Sequence, residues 1–218
     1  MLSFAEENYL KTIYHISLKD KKGIATNAIS EVLKTKPSSV TDMLKKLSHK
    51  KMIQHVKYYG VNLTDKGKME ALTIVRKHRL WEVFLVDKLK FNWDEVHEIA
   101  EQLEHIQSKL LIEKLDEFLG FPTVDPHGDP IPDALGEIQV KAQKPLSEAG
   151  IKAHVVVVGL KETSPAFLKY LDKSGIYIGC KIKIIDKVEF DGSMEITLEN
   201  KKNITISEVV ATNILITE

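Results

Sequence analysis

Apolar positions along this chain recur with two different periods. From residue 3 to residue 119 the spacing is mainly helical, and beyond residue 151 it alternates as in strands. Residues 3–17 set Phe4, Tyr9, Leu10, Ile13, Tyr14 and Ile16 on one stripe, which predicts a helix with Glu6, Glu7 and Asn8 in its first turns. Lys19–Gly23 reads as a charged turn, after which Thr26 caps a short helix carrying Ile29, Val32 and Leu33. Lys34–Pro37 interrupts the pattern. Ser38–Lys50 then predicts a helix that turns Val40, Met43, Leu44 and Leu47 inward and Ser38, Ser39, Thr41, Asp42, Lys45 and Lys46 outward. Ile53–Val56 and Val61–Leu63 read as two short strands around the basic, aromatic tip Lys57-Tyr58-Tyr59-Gly60.

Two long helices follow. Thr64 caps the first, which runs through Ala71, Leu72, Val75, Leu80, Phe84 and Leu89. The second is expected from about Trp93 to Leu119, with Asn92 as cap, Glu95 completing a capping box, and Val96, Ile99, Ala100, Leu103, Ile106, Leu110 and Leu115 as its apolar face. Trp81, Phe84, Leu85, Leu110 and Leu111 exceed what a two-helix hairpin buries alone, so a helical dimer interface is expected here. Four of the seven prolines fall in Phe121–Pro132, which marks an extended boundary segment. After it, strands are expected at His154–Val158, Cys180–Asp186, Met194–Glu199, Ile204–Ile206 and Asn213–Thr217, with a short helix at Ser164–Lys173; this is the pattern of a small SH3-like barrel.

The fold class expected is therefore α+β and multidomain. A winged helix-turn-helix DNA-binding domain occupies residues 1–73 and a helical metal-binding and dimerisation domain residues 74–120. A proline-rich linker (121–150) leads to an SH3-like domain (151–218). Charge sharpens the division. The net charge of zero hides a basic first third (13 − 7 = +6 over residues 1–75), an acidic middle (7 − 12 = −5 over 76–130) and a near-neutral remainder (11 − 12 = −1). A basic reader suits a polyanion and an acidic middle suits a cation. The one cysteine, Cys180, excludes an intramolecular disulfide and fits a reducing cytoplasm; no signal peptide or membrane span is read.

The candidate chemistry lies in the acidic middle. His78 and Glu82 stand four apart on one helix, and His97, Glu101, Glu104 and Ser108 form one stripe on the next, with His105 beside them. Imidazoles and carboxylates without a thiolate suit Mn(II) or Fe(II) better than structural zinc or copper. His97-Glu98-Ile99-Ala100-Glu101 misses the zinc-protease signature because Glu101 is not histidine. In the reader, hydroxyls and lysines at a helix N-terminus suit base edges and phosphates; Lys36, Ser38, Ser39, Thr41, Asp42, Lys45 and Lys46, with Lys57 and Tyr58 on the wing, are the candidate DNA contacts.

The winged helix together with "RKHRLWE", "VHEIAEQLEH", "DPHGDPIP" and the β-rich C-terminal module resembles the metal-dependent repressors of the diphtheria toxin repressor type, and most closely their manganese-responsive branch. The resemblance covers essentially the whole chain. It implies a dimeric, cytoplasmic, non-enzymatic regulator that binds operator DNA when loaded with Mn(II) or Fe(II) and controls metal-uptake genes. It also implies two metal positions per subunit. Asn8, Glu101, Glu104 and His105 match the primary one; His78, Glu82 and His97 match the ancillary one, with Asp125, His127 and Glu162 as supplements. This chain departs from the branch at Asn8, where an aspartate is usual, and at Lys11, where part of the branch has an acid; Lys11 argues against a closely spaced ion pair. Asp125 stands where cysteine is frequent, and Pro165 and Ala166 fall at the barrel's second ligand position. A metalloenzyme, or a winged-helix regulator sensing an organic ligand, are the competing functions.

Overall fold

The computed structural model describes residues 2–19, 23–139, 142–199 and 202–217. Residues 20–22, the centre of the expected turn at Lys19–Gly23, lie outside the described residues. The chain forms two compact units. The first comprises Met1–His78, Glu101–Glu113 and Pro132–Ile138; the second comprises Arg79–Ala100, Lys114–Ile131 and Gln139–Glu218.

In the first unit α1 (Phe4–Ser17) opens with a full capping box: Glu6 N–H donates to Ser3, and the Glu6 carboxylate accepts from Ser3 N–H. α2 (Thr26–Val32) follows, entered from Ala25 with no side-chain cap, so Thr26 is the first helical residue and not the cap expected of it. α3 (Pro37–His49) starts on a proline, whose fixed φ suits a first helical position. Leu10, Ile13, Ile29, Val40, Leu44 and Leu47 from these three helices fill one core with Leu72 and Val75 of α4 (Asp65–Asp87). The wing is the antiparallel pair β1 (Ile53–Val56) and β2 (Gly60–Leu63), and Val61 exchanges backbone hydrogen bonds with Ile24. That approach requires a glycine at Gly60: φ is +111°, and a Cβ there would lie 2.0 Å from Ile24 O.

The single helix expected from Trp93 to Leu119 is two helices, α5 (Val96–Leu103) and α6 (Lys109–Phe118). The break falls at Glu104–Ser108, where the Ser108 hydroxyl accepts from Leu111 N–H at the start of α6. Asn92 and Glu95 form no box: the Asn92 amide donates to the Glu95 carboxylate, and the helix begins only at Val96. Of the apolar side chains assigned to a dimer face, Trp81 and Leu85 are buried within the chain, while Leu110 and Leu111 are exposed, as are Phe118 and Phe121.

The second unit is built on a six-stranded antiparallel sheet. Its strands are β3 (Lys144–Pro145), β4 (His154–Leu160), β5 (Lys181–Lys187), β6 (Met194–Leu198), β7 (Lys202–Ile206) and β8 (Ile214–Thr217), in the order β3-β8-β4-β5-β6-β7. α7 (Pro165–Ser174) and α8 (Glu208–Asn213) complete it. The alternating inward residues Val155, Val157, Ile182, Ile184, Met194, Ile196, Ile214 and Ile216 make its core with Leu168 and Leu171 of α7. Trp93 packs on that core, and Lys169 pairs with Asp94 at 3.4 Å.

Candidate metal centres and nucleic-acid interface

The outward face of α3 is as the periodicity requires. Lys36, Ser38, Ser39, Thr41, Asp42, Lys45 and Lys46 are exposed, and Lys45 pairs with Asp42 at 3.1 Å. The Thr41 hydroxyl donates to the Pro37 carbonyl, so it is held at the helix start. At the wing tip Tyr58 is 89% exposed in a left-handed conformation (φ +68°), with the Lys57 ammonium 5.0 Å from its ring centre.

The first unit gathers an acidic cluster on α1 and the Glu101–His105 segment. Glu104 is fully buried, and its Oε2 accepts from His78 Nδ1 at 2.6 Å and from Lys11 Nζ at 2.7 Å. Lys11 also donates to the Glu101 carboxylate. His105 Nδ1 lies 2.6 Å from Glu7 Oε2, and the Gln107 amide donates to Glu7 Oε1. Burial alone would raise the Glu104 carboxyl; the hydrogen bond from His78 and the charge of Lys11 outweigh it and hold the group below its ordinary range. Lys77 is also buried, its amine 3.5 Å from Ile106 O; desolvation lowers its pKa against the opposing pull of Glu7 and Glu104. Two acceptors here have no partner among the described residues, the buried oxygens Asn8 Oδ1 and Glu104 Oε1, the latter 4.0 Å from His105 Nε2. Orphaned oxygens beside an imidazole are the donors a hard divalent ion takes, so this set fits the implied metal.

The second unit brings Glu82, Asp125 and His127 together. All three are buried, with one ligand atom of each within 4.8 Å of the others. His127 Nε2 is fixed by the Trp93 carbonyl at 2.9 Å, which leaves Nδ1 turned toward Glu82 and Asp125, at 3.9 and 4.0 Å. Asp125 organises its own loop by accepting from the backbone N–H groups of His127 and Asp129. Burial first, and then the charges of Glu82 and Asp129, push the Asp125 carboxyl well above its ordinary value, even with Arg79 3.5 Å away. Two carboxylates and an imidazole in one dry site, one acid driven toward its neutral form, also fit a divalent cation.

Of the other sequence candidates, His97 lies on the exposed side of α5 with Nδ1 3.4 Å from Glu82. Glu162 is exposed, and its carboxylate accepts from Ser164 N–H ahead of α7. His78 pairs with Glu104, the partner its helical spacing did not indicate. Glu7 received no role from the sequence; its signal is position, because Glu7 and Lys11 interrupt the stripe on which Leu10 and Tyr14 are buried.

A winged helix, an acidic helical segment with an orphaned buried carboxylate oxygen and a C-terminal β-module define the class of metal-dependent transcriptional repressors. The sequence matches the iron dependent repressor N-terminal DNA binding domain over residues 1–61, the iron dependent repressor metal binding and dimerisation domain over residues 64–133, and the FeoA domain over residues 144–218. It is 36% identical over 118 residues to an uncharacterized HTH-type transcriptional regulator of Methanocaldococcus jannaschii, covering 54% of this chain and 94% of that protein. It is 33% identical over 131 residues to the iron-dependent repressor IdeR of Mycobacterium leprae, covering 59% of this chain and 56% of that protein. Among solved structures, a manganese-dependent transcriptional repressor in complex with manganese superposes with a TM-score of 0.82 at 31% identity, over 98% of this chain and 99% of the other. The manganese regulator SloR superposes with a TM-score of 0.71 at 33% identity, over 98% of each chain. The chain belongs to the iron-dependent repressor family, whose members include manganese- and iron-dependent repressors. Among the described residues no helix is long and apolar enough to cross a membrane.

Proposed function

We propose that this chain is a cytoplasmic, non-enzymatic regulator that binds operator DNA as a homodimer when loaded with Mn(II), with Fe(II) as the alternative ion, and so controls metal-uptake genes. Residues 1–73 read the DNA, with Lys36, Ser38, Ser39, Thr41, Asp42, Lys45 and Lys46 presented to the major groove and Lys57 and Tyr58 to the flanking backbone. The exposed Leu110 and Leu111 suit a partner subunit.

The observation that carries the metal reading is the buried trio Glu82, Asp125 and His127, which holds two carboxylates close together and in which burial and the charge of Glu82 raise the Asp125 carboxyl. Asn8, Glu101, Glu104 and His105 are the second ligand set, supported by the orphaned oxygens of Asn8 and Glu104. The ion supplies a positive charge that binds these oxygens and nitrogens jointly. Asn8 belongs to the helix that packs under the reader and Glu104 to the segment before α6, so joint ligation fixes α1 on the Glu101–His105 segment. DNA then meets a reader already in position, and metal and DNA strengthen each other's binding by the same factor.

The test is a fluorescence-anisotropy titration of duplex from a metal-transporter promoter against Mn(II), Fe(II), Zn(II) and Co(II), with chelator as reference. Operator affinity is expected to rise by about tenfold or more with Mn(II). Equal affinity in chelator and in saturating Mn(II) would overturn the reading. Glu101→Cys sharpens it: a carboxylate oxygen suits Mn(II) and a thiolate softer ions, so this variant should lose more of the Mn(II) response than of the Fe(II) response.

A further inference from the structure

The acidic cluster of the first unit already contains a cation. Lys11, only 9% exposed, projects from α1 and donates to both Glu101 and Glu104. Its ammonium therefore makes the contacts that a bridging divalent ion would make: one positive centre held by two carboxylates, on the same pair of chain segments. The charge balance around it is nearly closed. Glu7, Glu101 and Glu104 bring three negative charges, and the buried Lys11 and Lys77 bring two positive ones. Glu101 is partly exposed, but Glu104 is fully buried, and a buried carboxylate with no cation would be strongly unfavourable; His78 and Lys11 hold it ionised.

We propose that Lys11 acts as a tethered cation: it ties α1 to the Glu101–Glu104 segment before any metal arrives, and an incoming divalent ion must compete with it for those carboxylates. The proposal rests on the metal reading of this cluster given above and adds its regulation. Two cations cannot share the same two carboxylates at contact distance without strong repulsion. The first unit thus takes at most one ion at the set Asn8, Glu101, Glu104 and His105, and binds it more weakly than a cluster free of the ammonium. Part of the order that metal would confer on α1 exists without it, and the set point of the response moves to higher metal concentration.

The experiment compares the full chain with Lys11→Met, which keeps the aliphatic stem, and with Lys11→Gln, which removes the charge but keeps a hydrogen-bond donor should the first variant fold poorly. All three carry Asp125→Ala, so that the trio of the second unit does not contribute to the metal count. In chelator, amide exchange of the α1 segment Asn8–Ile13 should become about tenfold faster when the ammonium is lost. In a Mn(II) titration followed by electron paramagnetic resonance, loss of Lys11 should tighten binding by about tenfold or more. Unchanged exchange would overturn the tie, and unchanged or weaker Mn(II) affinity would overturn the competition. If none of the chains takes up Mn(II) while exchange still quickens, it is the metal reading of this cluster that fails and the tie that stands, because the exchange arm contains no metal.

Discussion

The two carboxylate clusters are built from similar groups and balanced in opposite ways. In the first unit His78 and Lys11 flank Glu104 and, against its burial, hold its carboxyl below the ordinary range. In the second, Glu82 and Asp125 face each other with Arg79 as the nearest guanidinium, and the Asp125 carboxyl is driven well above its ordinary value. In the first cluster the chain's own cations face the buried carboxylate; in the second, acids face one another. Counting acids along the sequence does not separate these cases, because the separation lies in where the lysines go.

The largest expected effect comes from breaking the balanced cluster. Glu104→Ala leaves Lys11 and His78 facing a hole, and should lower stability in chelator by about 3–5 kcal/mol, as loss of one partner in a buried pair does. Denaturant unfolding measures it, and a loss within error of zero would show that the ion pairs are dispensable.

Asp125→Asn should act oppositely in chelator and in metal. Between the ordinary carboxylate range and its raised folded value, Asp125 binds a proton in the folded chain and not in the unfolded one. The stability this contributes is present at low pH and is lost as pH rises through that window. The asparagine variant should flatten this slope in metal-free unfolding curves, while Mn(II) affinity at the trio falls by about tenfold or more. A slope unchanged by the substitution would move the strain to another group.

Lys45→Ala with Lys46→Ala should weaken binding to all duplexes and lower the salt slope by about one unit per lost phosphate contact. A slope equal to that of the unaltered chain would remove α3 as the reader. The smallest effect is expected from Glu162→Gln. That carboxylate is exposed and engaged by Ser164, so Mn(II) affinity should change by less than about twofold. A larger loss would bring the barrel into the site as a ligand.

What could be read from the sequence follows from how local each signal was. The wing was legible because Gly60 and two short β-branched runs define a hairpin within eleven residues, Ile53–Leu63. α3 was legible from its amphipathic period, and Pro37, read as part of the interruption, is its first helical residue. The break between α5 and α6 was not, because Leu103, Ile106 and Leu110 continue the helical spacing with no glycine or proline between them. What ends α5 there is tertiary: Glu104 and His105 leave the helix to meet His78, Lys11 and Glu7. β3 escaped notice because it has two residues and one is Pro145, tolerated at the edge of a sheet. α8 was hidden by Val209 and Val210, β-branched residues that read as strand, although Ser207 caps it in the ordinary way. The site was half legible. Family resemblance pointed to the carboxylates and imidazoles as candidates, and Lys11 was visible as a departure, but its pairing with both Glu101 and Glu104 depends on contacts ninety or more residues away along the chain.

Gly128 carries the loop of Asp125 and His127 onto the barrel. Its φ is +87°, and a Cβ there would lie 2.2 Å from Val158 O and 2.5 Å from the Cα of Gly159, both in β4. The barrel thus shapes the trio as a mould shapes a casting: its backbone sets the curvature of the loop that carries Asp125 and His127. The tolerance of this chain to change is accordingly uneven. Glu162 is exposed and engaged by its own turn, whereas a side chain gained at position 128 would prise the loop from its backing and move Asp125 and His127 away from Glu82, erasing the trio without altering any residue in it.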